Sequence, residues 1–199
     1  MPDAPETRPS LIVRLRRCDD EPAWEEFVAI YRPAIVRVAM LRGLQPTDAE
    51  DLAQQVLLSV ARSVPKWEQD AQRAKFRTWL GRIVQNAATN ALTRRRAERG
   101  IGGTTALAAL RQVPDSEADL QLLEVERRRE LYRYAADLVR AELDPSTWAA
   151  FESTAVLGLP AEEAARRSGK SIGAVYMAKC RVMQRLQLKV RELEGDDTP

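Results

Sequence analysis

The sequence predicts an all-α protein of two small helical domains joined by a flexible linker. Apolar residues recur at three- and four-residue spacing in successive segments between residues 11 and 193, and no longer run shows the alternation typical of a strand. The glycine-containing stretch that follows residue 99 has only weak periodicity, which favours a linker. We therefore expect a flexible tail at 1–9, domains at 10–99 and 118–193, a linker at 100–117 and a short tail at 194–199.

Four helices are expected in the N-terminal domain. Ser10 can cap a short first helix, and Pro22 fits the first turn of the second, where a missing N–H costs little. Gly43 ends the second helix and Pro65 stops the third. The expected bounds are 11–17, 22–42, 47–64 and 76–99.

The C-terminal domain has the spacing of a helix-turn-helix. Helices are expected at 118–142, 145–157, 161–168 and 172–193. Ala165 is a small residue where two helices can approach closely, Gly169 lies at the turn, and Val175 points back into the core. Ser171 can cap the last helix. Such a helix can enter the major groove of DNA, although helix pairs with a glycine turn also occur in bundles that bind nothing.

Composition argues against an enzyme and against a metal or cofactor site. The 199 residues include no histidine, and the two cysteines, Cys18 and Cys180, lie far apart without metal-binding spacing. No phosphate-binding or nucleophile motif is present. No apolar run approaches the roughly 20 residues that span a bilayer, and the N-terminus lacks the features of a signal peptide. We expect a cytoplasmic protein without membrane insertion.

Charge is distributed unevenly, although the net charge is only +2. One basic segment runs from Arg73 to Arg99 and a second from Arg166 to Arg191. An acidic segment, Asp115 to Glu130, separates them. Two basic surfaces fit a nucleic-acid binder, whereas the plainer alternative is that these charges only solvate helix faces.

Two polar helix faces stand out in the N-terminal domain. Asp48, Asp51, Gln54 and Gln55 project together from the third helix, although acids in a first turn are also explained by the helix dipole. The fourth helix has polar residues spaced four apart. Two of them are asparagines, which form helices poorly, so their presence in the middle of a helix requires an explanation. An amide can read bases, or the asparagines can be accidents of an exposed surface. The stripe comprises Thr78, Arg82, Asn86, Asn90 and Arg94.

Three segments in this order resemble the extracytoplasmic-function sigma factors of bacterial RNA polymerase, in the sigma-70 family. They are DAEDLAQQ, then FRTWLGRIVQNAATNAL with the trailing TRRR, then LPAEEAARRSGKSIGAVY. The resemblance covers region 2 at about 10–99 and region 4 at about 118–193. It implies a non-enzymatic transcription initiation factor that binds core polymerase, recognises promoters and melts the minus-10 element.

The resemblance also implies roles for residues. The face of Asp48, Asp51, Gln54 and Gln55 would dock on the clamp helices of the largest polymerase subunit, with Gln55 standing where an acid is frequent. Asn86 would help form a pocket for a flipped non-template base, and basic residues around it would hold the single strand. The implied minus-10 residues are Lys75, Arg82, Asn86, Asn90, Arg94 and Arg95. Trp79 matches a family tryptophan but is expected to be mostly core.

Region 4 would read duplex DNA at minus-35 through its last helix and contact the polymerase flap region. The implied residues are Ser171, Tyr176, Met177, Lys179, Cys180, Arg181 and Arg185. The linker would thread toward the polymerase channels, and an anti-sigma protein is a further implied partner.

Two other functions stay open from the residues. A free-standing regulator would use only the helix-turn-helix, and an adaptor would bind polymerase without opening DNA. The sequence names neither the promoter nor the inducing signal.

Overall fold

A computed structural model describes residues 11–17, 19–67, 76–98 and 116–194, with the side chains of 95–98 and 116–117 outside the description. Every regular element within these ranges is helical, which confirms the all-α prediction. The N-terminal tail and residues 100–115 of the expected linker lie outside the described residues. The helices are α1 Leu11–Leu15, α2 Glu21–Leu41, α3 Pro46–Ser63, α4 Phe76–Glu98, α5 Ser116–Glu142, α6 Pro145–Phe151, α7 Ala161–Ser168 and α8 Ile172–Glu194.

The chain divides into two compact units, one of which is Pro9–Glu130 and the other of which includes Leu131–Pro199. The division falls inside α5, so the first half of this helix packs with the N-terminal unit. The functional domain boundaries at 100–117 stay a prediction, because a division into compact units records packing and not function. Both ends of α5 match the sequence interpretation to within two residues.

The core of the N-terminal unit is built from large apolar side chains on α2, α3 and α4. Phe27, at the centre of α2, is fully buried and stacks on Tyr31 with ring centroids 4.5 Å apart. It also meets Phe76, the first residue of α4, edge to face at 6.3 Å. These contacts fix where α4 begins. Other fully buried members of this core are Leu15, Ile30, Ile35, Val38, Leu52, Val56, Val60, Val64 and Leu80.

Asp20 fixes the turn between α1 and α2. Its Oδ1 accepts a hydrogen bond from the backbone N–H of Ala23 at 3.1 Å, as an N-cap does. The Arg14 guanidinium donates to both carboxylate oxygens, at 2.7 Å and 3.0 Å. Hydrogen bonding from Arg14 is the main reason that the pKa of Asp20 lies below its ordinary value.

The C-terminal unit packs α7 and α8 on α6 through small side chains. Ala150, Ala164, Ala165, Val175 and Ala178 form one buried cluster. A second cluster joins Trp148 and Phe151 of α6 to Val139 and Val182. Asp144 caps α6 by accepting from the backbone N–H of Ser146 at 2.9 Å.

The helix expected at 145–157 is corrected in its second half. The α-helix ends at Phe151, and Glu152–Val156 forms a π-helical turn. The hydroxyl of Thr154 donates to the carbonyl oxygens of Ala150 at 3.0 Å and Phe151 at 3.2 Å. A side chain bonded back to the helix in this way bends it. Gly158, with φ of 67°, then turns the chain toward α7.

Candidate functional site

The first candidate surface is the α3 face, defined by Asp48, Asp51, Gln54 and Gln55. Asp51, Gln54 and Gln55 are exposed and Asp48 is half-buried, so all four reach the surface of one helix. The other side of α3 is buried in the core through Ala49, Leu52, Ala53, Val56 and Val60. Rotation of α3 would bury charge and expose that core, so the orientation of the α3 face is fixed by packing.

Two neighbours define the edges of the α3 face. Glu50 is drawn toward α2, where its carboxylate lies 2.7 Å from the Arg32 guanidinium. Leu58, one turn beyond Gln54 and Gln55, is exposed although it is apolar. The sequence interpretation did not single out Leu58, which extends the polar face with an apolar contact.

The second surface is the α4 stripe, defined by Arg82, Asn86, Asn90 and Arg94. All four side chains are exposed at successive turns, as the four-residue spacing predicts. Thr78, one turn earlier, is half-buried. The opposite side of α4 is held in the core by Phe76, Leu80, Val84 and Ala88.

Two candidates of this surface cannot be placed. Lys75 lies outside the described residues, and so does the side chain of Arg95.

Aromatic residues anchor the beginning of α4. Trp67 and Trp79 both pack on Phe76, with ring centroids 5.5 Å and 5.2 Å away. Trp79 is half-buried, so part of its ring packs on Phe76 and part reaches the surface. The rigid aromatic support holds the α4 stripe at a defined position on the unit.

The third surface is the outer side of α8. Gly169 ends α7 with φ of 64°, in the left-handed region that favours glycine, and Ser171 Oγ accepts from the N–H of Ala174 at 3.2 Å. Val175, Ala178, Val182 and Val190 are buried on one side of α8. The candidates on the other side are all exposed: Ser171, Tyr176, Met177, Lys179, Cys180, Arg181 and Arg185.

Arg185, one of these α8 candidates, has an ion-pair partner within its own unit. Arg185 Nη1 lies 3.5 Å from Glu142 at the end of α5. Arg166 and Arg167 of α7 likewise pair with Glu163 of the same helix. These surface pairs are weak enough to exchange for phosphate.

The structure also places acidic residues of α5 in contacts that the sequence did not predict. Asp119, Glu124 and Glu126 lie on the half of α5 that packs with the N-terminal unit. Asp119 pairs with Arg42, the residue that directly follows α2.

The two glutamates each have a partner on α5 and another outside it. Glu124 lies 2.6 Å from Arg127 of α5 and 3.5 Å from Arg77 of α4. Glu126 lies 2.6 Å from Arg129 of α5 and 3.8 Å from Arg37 of α2. The sequence predicts this acidic segment only as a separator of two basic segments.

The pKa values of two of these groups, Glu124 and Arg42, are shifted from their ordinary values. Burial raises the pKa of Glu124, but hydrogen bonding from Arg127 and the charges of Arg127, Arg77 and Arg128 outweigh it, so the net pKa lies below the ordinary value. Burial lowers the pKa of Arg42, which still stays protonated because guanidinium pKa values are so high. Glu124 and Arg42 are therefore both charged at neutral pH.

Neither a cluster of metal ligands nor a membrane span is found in the described part of the chain. No group of three or more potential metal ligands comes together among them. None of the helices described combines the length and the apolar character that a membrane span requires.

Fold and surfaces together define a helical protein with a helix-turn-helix and a separate unit carrying acidic and polar faces, the class to which transcription factors belong. The sequence profile of sigma-70 region 2 matches residues 27–98. The ECF RNA polymerase sigma factor SigE of Mycolicibacterium smegmatis is 30% identical over 171 residues, which cover 83% of this chain and 61% of that protein. Residues 27–98 are thus similar to sigma-70 region 2, and 83% of this chain is similar to an extracytoplasmic-function sigma factor.

The chain spans 61% of the length of that relative. This chain is also similar to a solved structure described as CnrH in complex with the cytosolic domain of CnrY. That structure is 22% identical, the match covers 89% of this chain and 93% of that chain, and the TM-score is 0.37.

Proposed function

We propose that this chain is a transcription initiation factor that binds core RNA polymerase and directs it to promoters. The match of residues 27–98 to sigma-70 region 2 and the similarity to a sigma factor support the general role. The observation that carries the detail is the joint exposure of the α3 face and the α4 stripe on one small unit, separate from the helix-turn-helix. A protein that only binds duplex DNA through α8 needs neither surface.

The α3 face is the proposed polymerase-binding surface, on the largest-subunit clamp helices. The two carboxylates offer negative charge that would speed association with a basic surface of the polymerase. The two amides offer hydrogen bonds that would fix the relative position of the two surfaces. Exposed Leu58 adds an apolar contact at the edge of this surface.

The α4 stripe is the proposed minus-10 surface. Asn86 and Asn90 offer amide donors and acceptors to base edges, while Arg82 and Arg94 offer charge to phosphates. Contacts to a flipped base would offset the few kcal/mol of stacking free energy that is lost when the base leaves the duplex. The α4 stripe would therefore bind melted DNA more tightly than duplex DNA. The half-exposed Trp79 lies one helical turn from Arg82 and gives the strand an aromatic neighbour.

The outer side of α8 is the proposed minus-35 surface. Lys179 and Arg181 would contact phosphate, and Tyr176 and Met177 would contact bases mainly through apolar groups. Regulation by an anti-sigma protein stays an implication of the family.

Gel filtration of the chain with bacterial core RNA polymerase tests the proposal first. We expect a stoichiometric complex. Separate elution of two folded partners would favour the alternative function, a free-standing helix-turn-helix regulator.

The variant Asp51→Arg tests the α3 face. We expect at least about a tenfold rise in the Kd for core polymerase with an unchanged fold, because the residue is exposed and reversing a charge disturbs a complementary surface. Glu25→Arg, at an exposed acid of α2, is the matched control and should bind normally. Unaltered affinity of Asp51→Arg would remove the α3 face from the docking surface.

The variant Asn86→Ala tests the α4 stripe. We expect normal polymerase binding with promoter opening reduced about 5- to 150-fold, equivalent to roughly 1–3 kcal/mol for one base contact. Permanganate reactivity at minus-10 measures the opening. Thr93→Ala is the control, because its hydroxyl already donates to the Thr89 carbonyl oxygen at 2.8 Å. Full opening by Asn86→Ala on every promoter would exclude it from the base pocket.

A further inference from the structure

The first part of α8 presents apolar side chains to solvent on one side of the helix. Ile172, Tyr176 and Met177 are 42%, 57% and 63% exposed, so none of them fills the core. Cys180 is exposed three residues after Met177, and a thiol behaves as a small apolar group. Adjoining apolar side chains on a surface mark a contact with another molecule, whereas scattered ones are ordinary. We define these four residues as the α8 apolar patch.

The α8 apolar patch lies where a helix-turn-helix meets base edges. The N-terminal part of the second helix of this motif contacts bases in the major groove. Val175, Ala178 and Val182 are buried against α6 and α7 on the other side of α8. The side that carries the patch is therefore the side that is free to enter the groove.

Residues 172–178 expose none of the side chains that single out guanine, adenine or cytosine. Guanine is read by arginine or lysine, adenine by asparagine or glutamine, and cytosine by glutamate or aspartate. Apart from the patch, this stretch exposes only Gly173 and Ala174. The Tyr176 hydroxyl can both donate and accept, so it does not select one base. In the major groove an apolar side chain has one direct target, the C5 methyl group of thymine.

Gly173 gives the helix backbone room to approach the bases. Apart from chain neighbours and the adjoining helix backbone, no described atom lies within 4 Å of a Cβ built at this position. Packing inside the protein therefore does not require glycine here. Gly173 lies one turn before Met177, on the same side of α8. The missing side chain leaves space for base edges beside Met177.

The positive charges of α8 begin only after the first part of the patch. Lys179 and Arg181 are exposed on either side of Cys180, and Arg185 follows one turn later. Phosphate contacts from such side chains fix the position of the protein on the duplex and carry no base preference. Direct base readout by α8 is then left to the apolar patch.

We propose that α8 recognises its duplex element through thymine methyl groups, with Tyr176 and Met177 as the specificity-determining side chains. This inference rests on the proposed function, because it names the DNA chemistry that the proposed minus-35 surface selects. A thymine methyl packed on Met177 removes apolar surface of both molecules from water, which stabilises the complex.

Replacement of thymine by deoxyuridine tests this readout. Deoxyuridine pairs with adenine as thymine does and lacks only the C5 methyl group. The full chain bound to core polymerase first selects duplexes from a randomised pool. Each thymine of the selected upstream element is then replaced singly, and the Kd is measured by competition. We expect at least one replacement to raise the Kd about fourfold, equivalent to about 0.8 kcal/mol for one buried methyl-sized group.

Side-chain variants assign the methyl contact to α8. In Met177→Ala or Tyr176→Ala, the cost of deoxyuridine should vanish at the thymine that the shortened side chain contacts, because the two changes remove the same contact. Met183→Ala removes an exposed methionine later in the same helix and should keep the full cost. An equal cost in the wild type, Met177→Ala and Tyr176→Ala would mean that the methyl groups act through DNA shape, which would overturn the proposal.

A second selection tests the readout without modified DNA. Met177→Gln keeps the length of the side chain and adds an amide, which pairs with adenine. We expect the preference for thymine at the position coupled to Met177 to be lost in favour of adenine. Selection of the same upstream sequence by the wild type and Met177→Gln would overturn the proposal.

The outcomes separate this inference from the proposed function. A wild-type chain that neither binds core polymerase nor selects DNA would overturn the proposed function. Selection of an upstream element without thymine, or of one in which every thymine tolerates deoxyuridine, would overturn only the methyl readout. The α8 apolar patch would then be assigned to a protein partner.

Discussion

The two units hold their surfaces in place by opposite means. In the N-terminal unit, α4 is supported by large side chains, with Phe27 fully buried among Trp24, Tyr31 and Phe76. In the C-terminal unit, α7 meets α8 through alanines, and Ala164 is as completely buried as Phe27. The α4 stripe is thus positioned by large side chains that fill the core, and the outer side of α8 by small side chains that let two helices pack closely.

This difference teaches which substitutions each unit resists. A core of large side chains fails when volume is removed, because the surroundings only partly collapse into the cavity. A contact between small side chains fails when volume is added, because no neighbour can move aside without separating the helices. The separation of α7 from α8 sets the position of the outer side of α8, so the proposed minus-35 surface depends on small residues as the fold does.

The largest expected effect is the loss of Phe27. Phe27→Ala should destabilise the N-terminal unit by about 3–5 kcal/mol, since a fully buried aromatic leaves a large cavity. Amide hydrogen exchange by mass spectrometry measures each unit separately, and peptides of α2 and α4 should lose protection while those of α7 and α8 keep it.

Phe27→Leu is the graded control for that variant. It keeps most of the apolar volume and should cost clearly less than Phe27→Ala. Equal protection of α4 in Phe27→Ala and the wild type would contradict the support of α4 by filled volume.

The next prediction adds side-chain volume to a buried contact, whereas Phe27→Ala removes it. Ala164→Leu should destabilise the C-terminal unit by about 1–3 kcal/mol through overpacking, and should weaken duplex DNA binding with it. Ala149→Leu makes the same change at an exposed position of α6 and should be nearly neutral. If exchange in α8 were equally slow in both variants, close approach would not be what holds the helix-turn-helix.

Most of the fold followed from local patterns. The ends of α2, α3, α7 and α8 lie within one or two residues of the positions that proline, glycine and apolar spacing predict. The helix-turn-helix followed as well, because Ala165, Gly169 and Val175 each act through packing or backbone conformation close in sequence. Exposure of the α3 face and the α4 stripe follows from the same periodicity.

What the sequence did not predict depends on contacts between distant residues or on local competition. The π-helical turn arises where Thr154 bonds back to carbonyls, a choice that apolar spacing does not encode. The contact of α5 with the N-terminal unit brings Asp119 to Arg42, 77 residues away in the chain. A mid-helix glycine at Gly81 was the available signal, and it points to a close neighbour without naming it. The roles of individual site residues stay predictions.

The smallest expected effect is on stability, and it comes from the loss of a glutamate–arginine ion pair in each unit. Glu124 and Glu163 each pair with two arginines, but only Glu124 is in a contact between helices distant in sequence. The pKa of Glu124 lies below its ordinary value of about 4.5, so the unfolded chain binds the proton more readily than the folded unit does. The stability that Glu124 contributes is therefore full above that pH and is lost as pH falls through the folded pKa.

Glu124→Gln cannot lose this contribution on acidification. We expect the wild type to be more stable than Glu124→Gln at pH 6, and the difference to shrink as pH falls from 5 toward 3, in exchange or urea unfolding of the N-terminal unit. The effect is modest because the side chain is 36% exposed and solvent screens the pair. Glu163→Gln, at a pair within one turn of α7, should change stability of its unit very little at pH 6. A pH-independent difference between wild type and Glu124→Gln would mean that shape and not charge holds this part of α5.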